Sequence, residues 1–197
     1  MTTPPSMFRF EVLVDHGETG NKCTIVPLRY RPDFTILRVP PDPVIKPLTA
    51  QLLLHPDGVS WQEALARLGT ARSLAAVDCV WRRLEPLLTK IARPLPLMVR
   101  IPADFVTVYP RKSKATGDPV GGLATIEALF IGAALSGHWD GTLLSEYFFG
   151  DQFLAANDPV FRRHGVIPPP RSASVFRPRY PSNSVQRRIA RGRQPQL

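Results

Sequence analysis

Gln51-Leu-Leu-Leu54, His55-Pro56-Asp57-Gly58, Ser60-Trp61-Gln-Glu63-Ala-Leu-Ala-Arg-Leu68 and Ser73-Leu-Ala-Ala-Val-Asp78 follow one another in the chain, and their reading decides the fold class. Gln51–Leu54 is an apolar run of strand length, and the His-Pro-Asp-Gly that follows is a strong turn signal predicted to stop it. Ser60 precedes an apolar-periodic run, with Glu63 three residues on, which predicts a capped helix over Trp61–Leu68. Ser73–Asp78 is a second apolar strand, and it ends in a carboxylate. Strand, helix and strand in succession predict an α/β unit.

Upstream, Phe8-Arg-Phe-Glu-Val-Leu-Val14 alternates as a strand, and a polar turn over 15–21 leads through Lys22-Cys23-Thr24 into a second short strand predicted at Ile25–Arg29. Residues 30–48 carry Pro32, Pro40, Pro41, Pro43 and Pro47, so an extended, ordered loop is expected there. Downstream, Trp81, Leu84, Leu88 and Ile91 share one helical face, and Leu95–Val99 is another short apolar segment. Residues 109–122 form a basic loop rich in breakers. Leu123–Leu135 is the most helical stretch, with apolar residues at 123, 126, 129, 130 and 133, and Gly137 ends it. Thr142–Phe149 and Asp151–Asn157 are predicted as two further helices separated by Gly150. The expected organisation is an α/β lobe over 1–92, a mostly helical lobe over 93–164, and an Arg/Pro-rich tail over 165–197 that stays disordered until it binds something.

Composition narrows the function classes. Hydrophobic residues make up 44% of the 197, with no apolar run near the length of a membrane span, and the start Met1-Thr-Thr-Pro-Pro5 lacks a signal-peptide layout. A globular, cytoplasmic, monomeric protein is expected. Cys23 and Cys79 stand far apart with no ligand-spaced Cys or His, so they are read as small apolar or loop residues, with no metal and no disulfide. Charge is divided unevenly: residues 1–161 hold 16 basic and 16 acidic side chains, while 162–197 hold nine Arg and no acid. The guanidinium is always charged and donates paired hydrogen bonds to phosphate, so nucleic acid is the expected partner of that tail. A merely solubilising tail has the same composition.

Strand-end carboxylates in α/β folds face the crevice beyond the carboxyl edge of the sheet, which makes Asp78 a site candidate. Taken alone, such an Asp is as ordinary as a helix cap, and Trp81 alone suits a core. His16, His55, His138 and His164 share no motif and read as structural or surface residues.

Six blocks occur in one order: Lys22-Cys23-Thr24, Leu54-His55-Pro56, Val77-Asp78-Cys79-Val80-Trp81, Arg93-Pro94-Leu95-Pro96-Leu97, Leu123-Ala124-Thr125-Ile126-Glu127-Ala128, and Leu143 through Asn157. Together they resemble the rRNA aminocarboxypropyltransferases of small-subunit ribosome biogenesis, over about residues 8–164. The resemblance implies a SPOUT-like α/β lobe followed by a mostly helical, trefoil-knotted C-terminal lobe with S-adenosylmethionine between them. It implies that Leu54, Pro56 and Trp81 line the adenine pocket from one side and Leu97 and Leu123 from the other. Thr24 and Thr125 match positions holding the amino-acid end, and Asp78 matches the acidic residue beside the reacting carbon. The implied reaction moves the 3-amino-3-carboxypropyl group to N3 of a uridine or pseudouridine-type base in RNA, within a small-subunit rRNA precursor or a tRNA. Arg111, Lys112 and Lys114 sit in a stretch, Ala103–Gly122, that is longer and more basic than the relatives' connection. With Arg177, Arg179, Arg187 and Arg188 of the tail they are the expected RNA contacts. A SPOUT-type RNA methyltransferase and a non-enzymatic ribosome-assembly factor are the competing readings.

Overall fold

The structure is a computed structural model, and it describes residues 7–17, 23–39, 45–110 and 122–170. Its centre is a five-stranded, wholly parallel sheet of β1 (Arg9–Asp15), β2 (Phe34–Val39), β3 (Leu52–Val59), β4 (Ser73–Asp78) and β5 (Leu97–Val99), in the order β2-β1-β4-β3-β5. Four helices accompany it: α1 (Trp61–Leu68), α2 (Leu84–Leu88), α3 (Thr125–Leu135) and α4 (Gly150–Arg163). Both faces of the sheet are buried, as parallel sheets require. Phe10, Val12 and Val14 of β1 with Leu74 and Ala76 of β4 join Trp61, Ile126, Phe130 and Phe161 in the larger core. The alternate residues Leu13, Leu53 and Ala75 face Leu84, Leu87, Leu88 and Ile91 in the smaller one. Period-two alternation thus builds three layers: helices, sheet, and α2 with the 45–50 segment.

Several elements follow the sequence closely. β1, β4 and α1 lie where alternation and capping put them, with Ser60 Oγ accepting from the Glu63 amide at 3.2 Å. Helix α3 starts at Thr125, and its burial runs almost all the way round the helix, because the sheet, α1 and α4 enclose it. Gly132 lets it approach: a Cβ there would lie 2.5 Å from Leu74 Cδ2 and 2.9 Å from Trp61.

Other expectations are corrected. The strand predicted at Ile25–Arg29 is a 3-10 helix, Val26–Tyr30, in which Pro27 suits a first helical turn. The proline-rich 30–48 stretch contains β2, an edge strand in the proline-free run between Pro32 and Pro40. The turn signal at His55–Gly58 does not stop β3. The chain bulges, so that both Leu54 and Val59 register with Val99 of β5, and Gly58 passes so close that a Cβ would lie 2.4 Å from the Val99 nitrogen. The single helix expected over 81–91 is a 3-10 turn at Trp81–Arg83 followed by the short α2, with Pro86 in its first turn. Of the helix expected at Thr142–Phe149 only a 3-10 turn, Gly141–Leu144, forms, whereas the next helix is longer than expected and carries Pro159 inside it. The tail beyond Pro170 lies outside the described residues.

Buried polar side chains fasten the connections. Glu11 accepts from the amides of Thr49 and Ala50 at 2.8 and 3.1 Å, fixing the segment before β3. Asn157 of α4 exchanges two hydrogen bonds with the backbone of Val106. Glu127, with no solvent exposure, receives four donors: the Thr107 hydroxyl, the Val108 amide, the Ala124 amide and the Tyr147 hydroxyl, at 2.6–3.1 Å. Removing that acceptor takes a partner from two backbone amides and two hydroxyls, and each buried donor left unsatisfied costs about 1–3 kcal/mol. Glu127→Ala is therefore expected to lower the urea-unfolding free energy by roughly 3 kcal/mol or more; a change below about 1 kcal/mol would contradict the clamp.

Candidate active site

Parallel strands aim their carboxyl ends at one edge, and three of them end at the same place here. Leu54, His55 and Pro56 sit where β3 bulges, Asp78 closes β4, and Arg100–Ala103 follow β5 directly. The start of α3 brings Gly122, Leu123 and Thr125 to the same edge. Between these segments lies a cleft of about 420 Å³, within the range of small-molecule sites. Its walls are mostly apolar: Leu54, Pro56, Trp81, Leu84, Phe105 and Leu123 contribute to them. Arg100 stands at the same wall and pins the bulge by donating from Nη1 to the Gly58 carbonyl at 2.6 Å.

Of the residues singled out from the sequence, Leu54, Pro56, Trp81, Leu123 and Thr125 come together on the cleft wall. Asp78, Thr24 and Leu97 are not on that wall. Leu97 is half-buried in β5 against the larger core, and Thr24 lies in a bend beside Cys23. Asp78 is one step behind the wall: the Thr125 hydroxyl donates to its Oδ1 at 2.6 Å. Arg111, Lys112, Lys114, Arg177, Arg179, Arg187 and Arg188 lie outside the described residues.

Sequence reasoning missed two groups of side chains. Cys23, read as a passive small residue, donates its thiol proton to Asp78 Oδ2 at 2.8 Å. Burial, the charge of Asp78 and that hydrogen bond together push the thiol up to about 12, against the lowering effect of the Ile25 and Val26 amides. The block Lys22-Cys23-Thr24 carried the signal, but a partner 55 residues away cannot be seen from spacing. Arg100, Phe105 and Cys79 also line the cleft. The strand-end rule applied to β5 would have found the first of them.

His55, expected to be structural or on the surface, is buried and lies on the cleft wall. Its Nδ1 accepts from the Asp57 amide at 3.1 Å, so Nε2 is the nitrogen that donates to Glu85, at 2.8 Å. Among the described residues, His55, Asp57 and Glu85 are the group whose ligand atoms lie close enough to hold a metal, within 4.8 Å of one another. Both imidazole nitrogens are engaged and both carboxylates are on exposed residues, an arrangement that holds the β3 bulge against α2.

Fold and cleft define a class: a three-layer α/β protein with a mostly apolar ligand cleft at the carboxyl edge of a parallel sheet. No protein-family model matches the chain, and no curated protein matches it by sequence. Among solved structures, the SAM-dependent rRNA:acp-transferase Tsr3 from Vulcanisaeta distributa is similar, with a TM-score of 0.58 and 20% sequence identity over 80% of this chain and 83% of that one. At that identity the likeness is one of fold, and it is the fold of the family the six sequence blocks resemble. Among the described residues no helix is long and apolar enough to cross a membrane.

The Cys23–Asp78 contact can be read directly in the thiol's reactivity. Asp78→Asn removes the charge that disfavours the thiolate, so the Cys23 pKa falls and more of it is reactive thiolate at a given alkaline pH. Alkylation of the Cys23 thiol at pH 9, followed by mass spectrometry, is expected to speed up by about threefold per unit of that fall, the gain in thiolate being partly offset by its lower nucleophilicity. An unchanged rate would show that the two side chains do not meet.

Proposed function

We propose that the protein transfers the 3-amino-3-carboxypropyl group of S-adenosylmethionine to N3 of a uridine or pseudouridine-type base in RNA, releasing methylthioadenosine. The substrate in this reading is small-subunit rRNA, with tRNA as the competing target, and the place of action is the cytoplasm. It carries with it a lobe boundary near residue 92, a knotted C-terminal lobe, and a basic tail that contacts RNA through Arg177, Arg179, Arg187 and Arg188.

The observation that carries this reading is the cleft, in a fold shared with a SAM-dependent rRNA:acp-transferase. The fit to the donor rests on what the chain supplies there. Apolar walls with the Trp81 indole suit a nucleoside and a sulfonium cation, which aromatic faces attract. The Thr125 hydroxyl has its proton committed to Asp78, so its lone pairs are what it offers to the cleft. An ammonium group, as on the amino-acid arm of the donor, is the natural guest for such an oxygen backed by a carboxylate.

A sulfonium has three electrophilic carbons, and presentation decides which one reacts. Enclosing the methyl in the apolar pocket that contains the Trp81 indole leaves the longer arm for the base. The N3 lone pair forms the new C–N bond, the C–S pair withdraws onto sulfur, and the N3 proton leaves to a base. From behind the wall, Asp78 serves as that base by drawing the proton through the Thr125 hydroxyl, or orients the amino group through the same hydroxyl. General-base help of this kind is worth about 10²–10⁴-fold, and alignment of N3 with the reacting carbon contributes as well. Arg111, Lys112 and Lys114, in the sequence between Pro110 and Gly122, supply charge for the phosphates beside the target base.

The test supplies purified full-length chain with small-subunit rRNA or tRNA and donor labelled either in the carboxypropyl arm or in the methyl group. Carboxypropyl label is expected in RNA, with Asp78→Ala slowing its incorporation at least about 10²-fold and Trp81→Ala weakening donor binding by about tenfold in calorimetry. Methyl label in RNA would instead make the protein a methyltransferase. Absence of donor binding would leave only a non-enzymatic role in ribosome assembly.

A further inference from the structure

Cys23 takes no part in the reaction as set out above, yet its thiol lies 2.8 Å from Asp78 Oδ2. A half-buried cysteine needs no such partner, since it packs as a small hydrophobe without penalty. Nucleophilic chemistry is unavailable to it, because a thiol pushed up to about 12 stays protonated at neutral pH. What it does have is a proton, aimed at a carboxylate whose other oxygen already accepts from Thr125 at 2.6 Å.

The geometry gives that proton a use. The carboxylate of an aspartate turns easily about its last torsion, which is broad and two-fold. One donor on one oxygen leaves much of that rotation open. Two donors, on different oxygens and from different parts of the chain, define its plane. Here they come from Cys23, just before the bend at Thr24, and from the first residue of α3, 55 and 47 positions from Asp78. Both segments are anchored independently: Ile25 is buried in the core, and Glu127 holds the start of α3.

We propose that Cys23 is a positioning residue for Asp78: its thiol proton on Oδ2, opposite the Thr125 proton on Oδ1, holds the carboxylate plane and with it the Thr125 hydroxyl, through which Asp78 draws the proton of the acceptor base. The inference rests on the transfer proposed above and deepens it. It also explains why a cysteine that does no covalent chemistry stands beside the strand-end carboxylate.

The experiment compares Cys23→Ala and Cys23→Ser with the unaltered chain in the carboxypropyl-transfer assay, with donor KM, donor affinity and thermal midpoint measured alongside. Serine keeps a donor at the position and alanine does not. Cys23→Ala is expected to lower kcat by about tenfold, with donor KM and midpoint little changed, and Cys23→Ser to restore most of the loss. In an Asp78→Ala background Cys23→Ala should cost nothing further, since it acts only through that carboxylate. Should alanine unfold the protein, Cys23→Val, which fills the volume without donating, takes its place. The inference is overturned if kcat is unchanged in the alanine variant, if serine is as slow as alanine, or if the loss persists without Asp78. Absence of transfer by the unaltered chain overturns the functional reading itself, and the inference with it.

Discussion

A single buried carboxylate organises the edge at which the cleft forms. Glu127 satisfies the amide of Ala124, just ahead of α3, the backbone at Val108, and the hydroxyls of Thr107 and Tyr147. Four donors around one fully enclosed group leave little freedom to any of them, because each alternative strands a polar atom away from water. Since Glu127 sits two residues into the helix from Thr125, the same clamp sets where the Thr125 hydroxyl points, and hence where Asp78 finds its partner. The chain on either side of the basic 111–121 segment is held by this group and by Asn157, which fastens Val106 to α4.

The sheet supplies the other half of the arrangement. With all strands parallel, β3, β4 and β5 open toward one side, and the alternation of side chains sorts what each strand end offers. Asp78 falls in register with Val14, whose side chain belongs to the larger core, so it faces α3; Asp15, one position on, falls on the other side and meets Arg83. A shift of one residue in β4 would exchange these environments. The bulge at His55–Gly58 matters in the same way: it widens β3 over β5, so that Pro56 and His55 form wall where a regular strand would have left ladder.

Legibility varied with how local the cause was. Helix α1 could be read because its cap, its capping-box partner and its periodicity all lie within nine residues, Ser60 to Leu68. β4 could be read from an apolar run ending at Asp78. β2 was hidden by prolines that flank it without entering it, and the continuation of β3 was hidden by a turn signal that, against a neighbouring strand, becomes a bulge. The burial of α3 on nearly all sides exceeds its apolar stripe because Gly132 admits Trp61 and Leu74 to a face that periodicity alone assigns to solvent. In the cleft, nine lining residues belong to blocks quoted from the sequence, five of them singled out as site candidates, whereas Arg100 and Phe105 lie beyond the end of β5 and outside every block.

By itself the sequence determined the class, α/β, the carboxylate at the end of β4, the apolar and indole character of the surrounding blocks, and the concentration of arginine in the last 36 residues. These are properties of runs and spacings, and local chemistry is enough to write them. Tertiary structure alone decided that Cys23, Asp78 and Thr125 would share hydrogen bonds across 55 and 47 positions of chain, and that His55 would turn inward. Such contacts depend on strand register and on the depth at which α3 packs, and no pattern within a single segment encodes either.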